Sequence, residues 1–219
     1  MTAPSAKDFA ELLERVDRLE SLDQIRQLPA KYALSVDMRE LDALANLFVD
    51  DVYVSKTESG RQAIKEWYYK ALSHGTLASA HGIHGHVIDF ESRDLATGLV
   101  YSRNDLETKD VWMDEMMAYL DRYERRDGVW YFQRRAPLFW YQCDHLNPPL
   151  GGGEAKIRWQ GMEWQEGAFH SAFPSWTDFW NEVDKEGKGP VRPPAPLYQF
   201  IRQFRRGDDW PKVRGRPNT

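Results

Sequence analysis

The second half of the chain is dominated by four long segments whose patterning is typical of β-strands. They cover residues 80–91, 97–108, 110–126 and 129–143. Each is long enough to cross a sheet, and the separators are short and polar. Between the last two segments stands Asp127-Gly128, a pair that favours a tight hairpin turn because both residues tolerate positive φ. The four segments therefore predict an antiparallel meander.

The part of the chain before residue 75 shows helical periodicity instead. Predicted helices cover residues 6–20, 22–37, 40–48 and 61–74, and a short strand is predicted at 52–54. Ser21 and Gln24 fit a capping box that would begin the second helix, and Pro29 within that helix should kink it. Helices followed by a meander predict the α+β class, with an antiparallel sheet curled against the helices.

The chain divides near residue 148, where proline and glycine pairs follow the last predicted strand. Residues 1–147 are predicted to form the α+β domain, and 148–219 an irregular extension with short helices at 175–184 and 197–205. The last 80 residues are rich in tryptophan: of nine in the chain, six lie from residue 140 onward. Those six are Trp140, Trp159, Trp164, Trp176, Trp180 and Trp210.

Composition excludes several function classes. A formal net charge of −5 gives no basic field to hold a nucleic-acid backbone or an anionic membrane. No apolar run approaches the roughly 18 residues of a membrane span. The single cysteine, Cys143, cannot pair within the chain. With no secretory pattern at its start, we expect a cytoplasmic protein that binds neither nucleic acid nor membrane.

Three residues could form a proton-transfer site. A carboxylate on a helix, Asp37, can orient an imidazole on a strand, His81, so that the ring moves a proton near neutral pH, with Tyr32 on the same helix. The alternative is that Asp37 only caps the helix and that His81 is an ordinary strand histidine.

A second histidine pattern overlaps the first predicted strand. His84, His86 and Glu91 follow a His-x-His-x4-Glu spacing similar to half of the metal-binding signature of cupins. The companion segment of that signature is missing, and regular alternation would place both histidines on the face opposite His81. A metal site therefore remains only an alternative.

Alternation along the next strand places Val100, Ser102 and Asn104 on one face. Polar groups on an enclosed face indicate substrate contacts, whereas a solvated outer face would explain them equally well. The same two alternatives apply to Arg134 and Arg135 on the last strand.

Taken together, three segments resemble SnoaL-like proteins of the nuclear transport factor 2-like superfamily. They are residues 22–51, which include Asp37; residues 79–83 around His81; and the hairpin at 123–132. The resemblance spans about residues 20–143. It implies an α+β cone, in which a strongly curved sheet surrounds a pocket that the N-terminal helices close.

The resemblance also implies a chemistry. Relatives of similar pattern include scytalone dehydratase, the bile acid 7α-dehydratase, hexachlorocyclohexane dehydrochlorinase and diarylpropane lyases, which use neither metal nor redox cofactor. In the dehydratases and the dehydrochlorinase, the aspartate and histidine at the positions of Asp37 and His81 form a dyad with histidine as the base. A tyrosine at the position of Tyr32 assists in one of them. An arginine of the bile acid enzyme falls at Phe139, which puts a carboxylate or thioester handle on the substrate in doubt.

Further substrate contacts are expected from polar and aromatic side chains. Candidate hydrogen-bond donors, besides Tyr32, are Tyr101, Ser102 and Asn104. If Trp140, Trp176 and Trp180 close over the mouth of the cone, they would select an aryl substrate. Alternatively, the aromatic extension anchors itself to the outside of the cone or forms an interface between subunits.

The sequence thus predicts a cofactor-independent lyase acting on a bulky hydroxylated aromatic compound, by retro-aldol deformylation of a lignin-derived diarylpropane diol or by dehydration. We expect a homo-oligomer, a trimer or a dimer. The alternatives are a polyketide cyclase or isomerase using the same dyad, and a non-catalytic binding or assembly module.

Overall fold

A computed structural model describes residues 5–73, 75–151, 155–158, 163–191, 193, 197–207 and 210–211. Its helices are α1 (Ala6–Asp37), α2 (Leu41–Ala45), α3 (Arg61–Ser73), α4 (Pro174–Glu182) and α5 (Phe200–Phe204). Its strands are β1 (Ala78–Phe90), β2 (Leu95–Glu107), β3 (Trp112–Arg126), β4 (Val129–Asp144), β5 (Ala155–Ile157) and β6 (Gln165–Glu166). Within these ranges no helix combines the length and apolar composition needed to cross a bilayer.

The N-terminal region forms one 32-residue helix, α1, where the sequence predicted two. The capping box lies at the start of the chain, where Ser5 and Asp8 exchange hydrogen bonds. The predicted break at Ser21 is wrong, because Ser21 is buried within α1 and the side-chain amide of Gln24 makes tertiary contacts. Gln24 donates to the carbonyl of Gly128 and accepts from the amide of Trp130, which joins α1 to the β3–β4 hairpin.

The predicted meander is confirmed. The sheet runs in the order β1-β2-β3-β4-β5-β6, and all neighbours are antiparallel except β4 and β5. The turn between β3 and β4 has positive φ at both Asp127 (50°) and Gly128 (81°), as a type I′ turn requires. The predicted strand at 52–54 is reduced to one isolated bridge between Tyr53 and Ser59.

The curved sheet separates two apolar clusters. The larger cluster fills the concave side, where the second half of α1, α2 and α3 pack on side chains such as Val100 and Tyr119. The smaller one lies on the convex side and joins Leu99 and Leu138 to Ile201 of α5. Side chains of a strand alternate between its faces, so neighbours such as Leu99 and Val100 enter different clusters. The result is an α+β cone.

The C-terminal extension packs on the convex side of the cone. The carboxylate of Asp89 on β1 accepts a hydrogen bond from the backbone amide of Ile201 at 2.6 Å. The buried guanidinium of Arg205 donates to the carbonyl of Ala172, which ties α5 to the segment before α4. Trp159, with most of residues 190–196, lies outside the described residues.

Gly98 provides a test of packing on the concave side. A Cβ atom at this buried position would lie 2.6 Å from Tyr123 Cε2 and 2.9 Å from His86 Nε2. At Gly85 on the neighbouring strand, the nearest atom would be Tyr101 Cδ2 at an ordinary 3.9 Å. We expect Gly98→Ala to lower the free energy of unfolding by about 1–3 kcal/mol in urea denaturation, because forced overpacking displaces its neighbours. Gly85→Ala is the matched control and should change it little; equal effects would contradict this packing.

Candidate active site

A cavity of about 340 Å³ lies inside the cone, between the helices and the concave face of the sheet. Its wall is largely aromatic and aliphatic, with a few polar and charged groups. The helices contribute Tyr32, Val36, Trp67, Tyr68, Ala71 and Leu72; the chain before β1 contributes Thr76; and the sheet contributes Ser79, His81, Leu106, Glu115, Met117, Tyr119, Arg135, Pro137, Phe139 and Gln142. Its volume lies at the lower end of the roughly 300–1,000 Å³ of small-molecule sites.

The structure brings Asp37 and His81 together at this cavity. His81 Nδ1 lies 2.7 Å from Asp37 Oδ1, and the backbone amide of His81 donates to Asp37 Oδ2 at 2.9 Å. The hydroxyl of Ser79 donates to Asp37 Oδ1 at 2.8 Å. The side chains of His81 and Asp37 are only 8% and 12% exposed. The Asp37 carboxylate therefore fixes the end of α1 to β1 by accepting three hydrogen bonds from Ser79 and His81.

This arrangement fixes the role of each histidine nitrogen. A carboxylate oxygen can only accept, so the hydrogen bond to Asp37 places the ring proton on Nδ1 and leaves Nε2 as the acceptor. Burial opposes ionisation of Asp37, but its hydrogen bonds from His81 and Ser79 outweigh this and hold its pKa below 3.8. The carboxylate thus stays charged at neutral pH and can stabilise a protonated imidazole.

The segment after α1 supports the dyad from behind. Arg39 adopts φ 60° as the chain leaves the helix. Its Nη1 atom donates to the carbonyl of Val36 at 2.7 Å and to the hydroxyl of Ser79 at 3.0 Å. The Ser79 hydroxyl therefore accepts a hydrogen bond from Arg39 and donates its own proton to Asp37.

A polar row crosses the concave face at the level of His81. The strand register aligns His81 with Asn104, Asn104 with Glu115, and Glu115 with Gln142. Asn104 Nδ2 donates to Glu115 Oε2 at 2.9 Å, and Gln142 Nε2 donates to Glu115 Oε1. Ser102 donates to Asn104 Oδ1 at 2.5 Å. Both Ser102 and Asn104 have no exposed surface and do not line the cavity, so they act on Glu115 rather than on its contents.

Tyr32 lies beside the dyad as expected. Its ring meets the His81 ring edge-on, with centroids 6.4 Å apart and an interplanar angle of 89°. Its hydroxyl lies 3.0 Å from that of Tyr68 on α3. Tyr68 and Glu115 were not singled out from the sequence, although alternation along β3 already predicts that Glu115 shares a face with Met117 and Tyr119.

Arg135 is also buried at this site, which rules out a solvated outer face, one of the two alternatives that the sequence left open for this residue. The Arg135 side chain lies on β4 against the rings of Tyr119 and Tyr32, whose centroids are 3.8 and 4.1 Å from Cζ. Its Nε atom lies 3.2 Å from Asp121 Oδ1 in a fully buried ion pair. Burial raises the pKa of Asp121 to about 6, and the charge of Arg135 with the hydroxyl of Tyr123 opposes this rise only in part.

The cupin-like residues do not converge. A bulge between Ile83 and His86 changes the register of β1, so His86 and His84 do not share a face as regular alternation predicted. His86 Nε2 lies 3.0 Å from the hydroxyl of Tyr123 on the concave side, whereas His84 is exposed. Glu91 accepts a hydrogen bond from Thr97 at the β1–β2 turn. The described residues contain no group of three or more side chains placed to hold a metal ion.

The structure places the expected aromatic contacts outside the cavity. Tyr101 alternates with Val100 and Ser102, so its ring faces the convex side, where it meets Phe169. Trp140 packs on His170, whose ring lies 4.1 Å from that of Trp176, and Trp180 packs edge-on against Trp176.

These rings line or flank a second cavity of about 700 Å³, between the convex face and helices α4 and α5. In place of the expected lid over the mouth of the cone, α4, α5 and the residues around Phe169 cover the outside, whereas Ile157 of β5 packs against the concave cluster. This corresponds to the alternative in which the aromatic extension anchors itself to the convex surface.

Comparison with known proteins agrees with this fold. Residues 17–136, more than half of the chain, match the SnoaL-like domain family. None of the curated proteins matches the sequence. Three solved structures show the same fold at low sequence identity.

The LinA structure superposes with a TM-score of 0.57 at 22% identity, covering 64% of this chain and 99% of that one. The LinA-type3 hexachlorocyclohexane dehydrochlorinase of Novosphingobium barchaimii gives a TM-score of 0.55 at 23% identity, with 62% and 99% covered. A candidate scytalone dehydratase from Novosphingobium aromaticivorans gives 0.52 at 23%, with 60% and 91% covered. The matches support the cone fold.

The interactions of Asp37 should make stability depend on pH. Since the folded pKa is depressed, ionised Asp37 stabilises the fold above the unfolded pKa, near 3.8, and this contribution is lost as the pH falls through the folded pKa. We expect Asp37→Asn to lower the free energy of unfolding by about 1–3 kcal/mol at neutral pH, because charge-assisted hydrogen bonds are lost.

Urea denaturation of both proteins across the acid range measures this difference, which should shrink below pH 3.8. Asp110→Asn removes an exposed carboxylate and serves as the control. A difference between wild type and Asp37→Asn that is constant with pH would contradict the stabilising role of the charged form.

Proposed function

The chain belongs to the SnoaL-like domain family, and we propose that it is a lyase that uses His81 as a general base on a hydroxylated aromatic compound. The observation that carries this proposal is the 2.7 Å contact between His81 Nδ1 and Asp37 Oδ1 at the wall of the cone cavity. The contact leaves Nε2 as a proton acceptor beside enclosed space. The dehydrochlorinase and dehydratase descriptions of its structural neighbours are consistent with proton abstraction followed by loss of a leaving group.

The proposed reaction requires only the movement of protons and electron pairs. In a dehydration, Nε2 of His81 takes a carbon-bound proton, the carbon–hydrogen electron pair forms a double bond, and the neighbouring hydroxyl leaves as hydroxide. Protonation of that hydroxide gives water. Asp37 stabilises the imidazolium that forms. The reaction involves no net electron transfer and so requires no redox cofactor, and we propose that His81 and Asp37 carry the proton transfer without a metal.

The deformylase version uses the same base on a different proton. With a diarylpropane diol, Nε2 takes the proton of the terminal hydroxyl and the carbon–oxygen double bond of formaldehyde forms. The carbon–carbon bond to that terminal carbon breaks, and its electron pair forms the new double bond as the second hydroxyl leaves. Both versions convert a hydroxylated aryl compound into a conjugated product.

The cavity wall supports an aromatic substrate. Trp67 and Tyr68 of α3 pack against each other edge-on with centroids 4.9 Å apart, and Tyr32 and Tyr119 continue this aromatic wall. Flat rings favour offset or edge contacts with such walls. Tyr32 is the proposed hydrogen-bond donor next to the base, since its hydroxyl can pass a proton to or from the neighbouring Tyr68 hydroxyl.

We expect His81→Ala and Asp37→Asn to lower kcat/KM by about 10²–10⁴-fold, because general base catalysis contributes that much. The assay follows formaldehyde release and the ultraviolet absorbance of conjugated product from diarylpropane diols and other aryl alcohols, using chelator-treated protein. His84→Ala is the matched control, since His84 is exposed on the same strand, and should retain activity.

Formaldehyde release distinguishes deformylation from dehydration. Near-normal turnover by His81→Ala or Asp37→Asn would refute the dyad, and turnover lost on chelation and restored by a divalent metal would refute metal independence. Deuterium uptake from solvent without loss of a fragment would indicate an isomerase or cyclase instead.

Light scattering on the same preparation tests its assembly. The proposal expects a self-sufficient homo-oligomer, which fits the large apolar side chains exposed along the start of α1. Those side chains are Phe9, Leu12, Leu13, Val16 and Leu19. A protein that is active only with a larger partner would favour an assembly module.

A further inference from the structure

A buried cation of the cone cavity uses little of its hydrogen-bonding capacity. Arg135 lines the cavity and is only 3% exposed. None of its Nε, Nη1 and Nη2 atoms has a partner with hydrogen-bond geometry among the described residues. A buried donor without an acceptor is destabilising because it has lost its hydrogen bonds to water, so each such group in a native protein calls for an explanation. This set of donors points to a ligand that accepts hydrogen bonds.

Neighbouring side chains occupy most sides of the Arg135 guanidinium and limit how a ligand can approach it. The rings of Tyr119 and Tyr32 lie against the guanidinium, with centroids 3.8 and 4.1 Å from Cζ, and Phe132 lies at 4.6 Å. Asp121 Oδ1 is 3.2 Å from Nε, and the other oxygen of Asp121 accepts from the Tyr123 hydroxyl at 2.8 Å. The rings and Asp121 thus take up the faces and the Nε edge, so the donors that remain for a ligand are the two Nη atoms, which have almost no exposed surface at the wall of the cavity that Arg135 lines.

We propose that Arg135 binds the carboxylate of an aryl carboxylic acid in the cone cavity. The planar guanidinium matches the two oxygens of a carboxylate better than it matches a single hydroxyl. The aromatic wall receives the ring of the same ligand. This deepens the proposed function, on which it rests for the location of the substrate, by naming the substrate class as an aryl acid with a hydroxylated side chain.

The charges of the cavity also set the orientation of such a ligand. Glu115 lines the cavity with both side-chain oxygens accepting hydrogen bonds from Asn104 and Gln142, so it offers no donor to a ligand carboxylate. Arg135 attracts one, and Tyr32 touches both the guanidinium and the His81 ring. A ligand anchored at Arg135 therefore lays its ring along Tyr32 and its side chain beside His81. In this proposal the cation that binds the substrate carboxylate is Arg135 on β4, whereas the position that matches the arginine of the bile acid enzyme is Phe139.

The test compares two probes of matched shape and different charge, 2-naphthoate and 2-naphthylmethanol, with the full-length protein at neutral pH. Dissociation constants come from titration calorimetry. We expect the wild type to bind 2-naphthoate about tenfold or more tightly than the alcohol, since an ionised acceptor strengthens a hydrogen bond to arginine. Arg135→Met should abolish this preference. Arg134→Met removes the neighbouring arginine, which lies over Trp210, and should keep it.

A second variant guards against misfolding. Arg135→Met alone leaves the buried carboxylate of Asp121 without its cation, so Arg135→Met/Asp121→Asn removes both charges, and circular dichroism checks the fold. Loss of preference in the folded double variant supports the proposal. Equal binding of both probes by wild type, binding of neither, or a preference retained in the folded double variant would overturn it.

The proposed function and this inference fail in different ways. His81→Ala should stop turnover and still prefer 2-naphthoate, because Arg135 is unchanged. A wild type that binds 2-naphthoate selectively but turns over no aryl substrate supports the binding claim and contradicts the lyase. Turnover of neutral substrates alone, with no preference between the probes, supports the lyase and contradicts the binding claim.

Discussion

The hydrogen bonds between Asp37 and His81 connect the last residue of α1 to the first strand of the sheet. Asp37 receives the ring and backbone N–H groups of His81 and the hydroxyl of Ser79, which fixes both the position of the helix end and the direction of the imidazole. The same contact closes the cone on this side and leaves Nε2 at the cavity. The same hydrogen bonds therefore restrain the structure and create the candidate catalytic geometry, and the charge of the Asp37 carboxylate strengthens them.

Strand alternation decides what the remaining residues can do. The concave face combines a polar row, from His81 through Glu115 to Gln142, with aromatic side chains and the buried Arg135. The convex face carries Tyr101 and Trp140 with the extension. Neighbouring residues on a strand face opposite sides of the sheet. One residue therefore faces the cavity that holds the dyad, and the next faces the cavity that the extension covers.

The fold could be predicted from the sequence because it depends on local pattern and order along the chain, whereas the pairing of Asp37 with His81 was one of two alternatives, which only the resemblance to SnoaL-like proteins favoured. Alternation and Asp127-Gly128 predicted the meander, and helical spacing predicted α1, α2 and α3. Three features could not be predicted locally. The continuity of α1 through Ser21 depended on where Gln24 finds its partners; the inward turn of His86 followed from a bulge; and the burial of Arg135 required Tyr32, Tyr119 and Asp121 to meet across three elements. In each case a tertiary contact overrides a local preference.

The tautomer of His81 tests the central claim most directly, because it requires no knowledge of the substrate. Long-range ¹H–¹⁵N spectra of labelled protein, recorded near pH 8 where a free imidazole is neutral, distinguish a protonated Nδ1 from a protonated Nε2, with His81→Ala used for assignment. The account predicts the Nδ1–H form in the wild type and a mixture of both forms in Asp37→Asn. A wild-type His81 protonated at Nε2, or a spectrum that Asp37→Asn leaves unchanged, would contradict it.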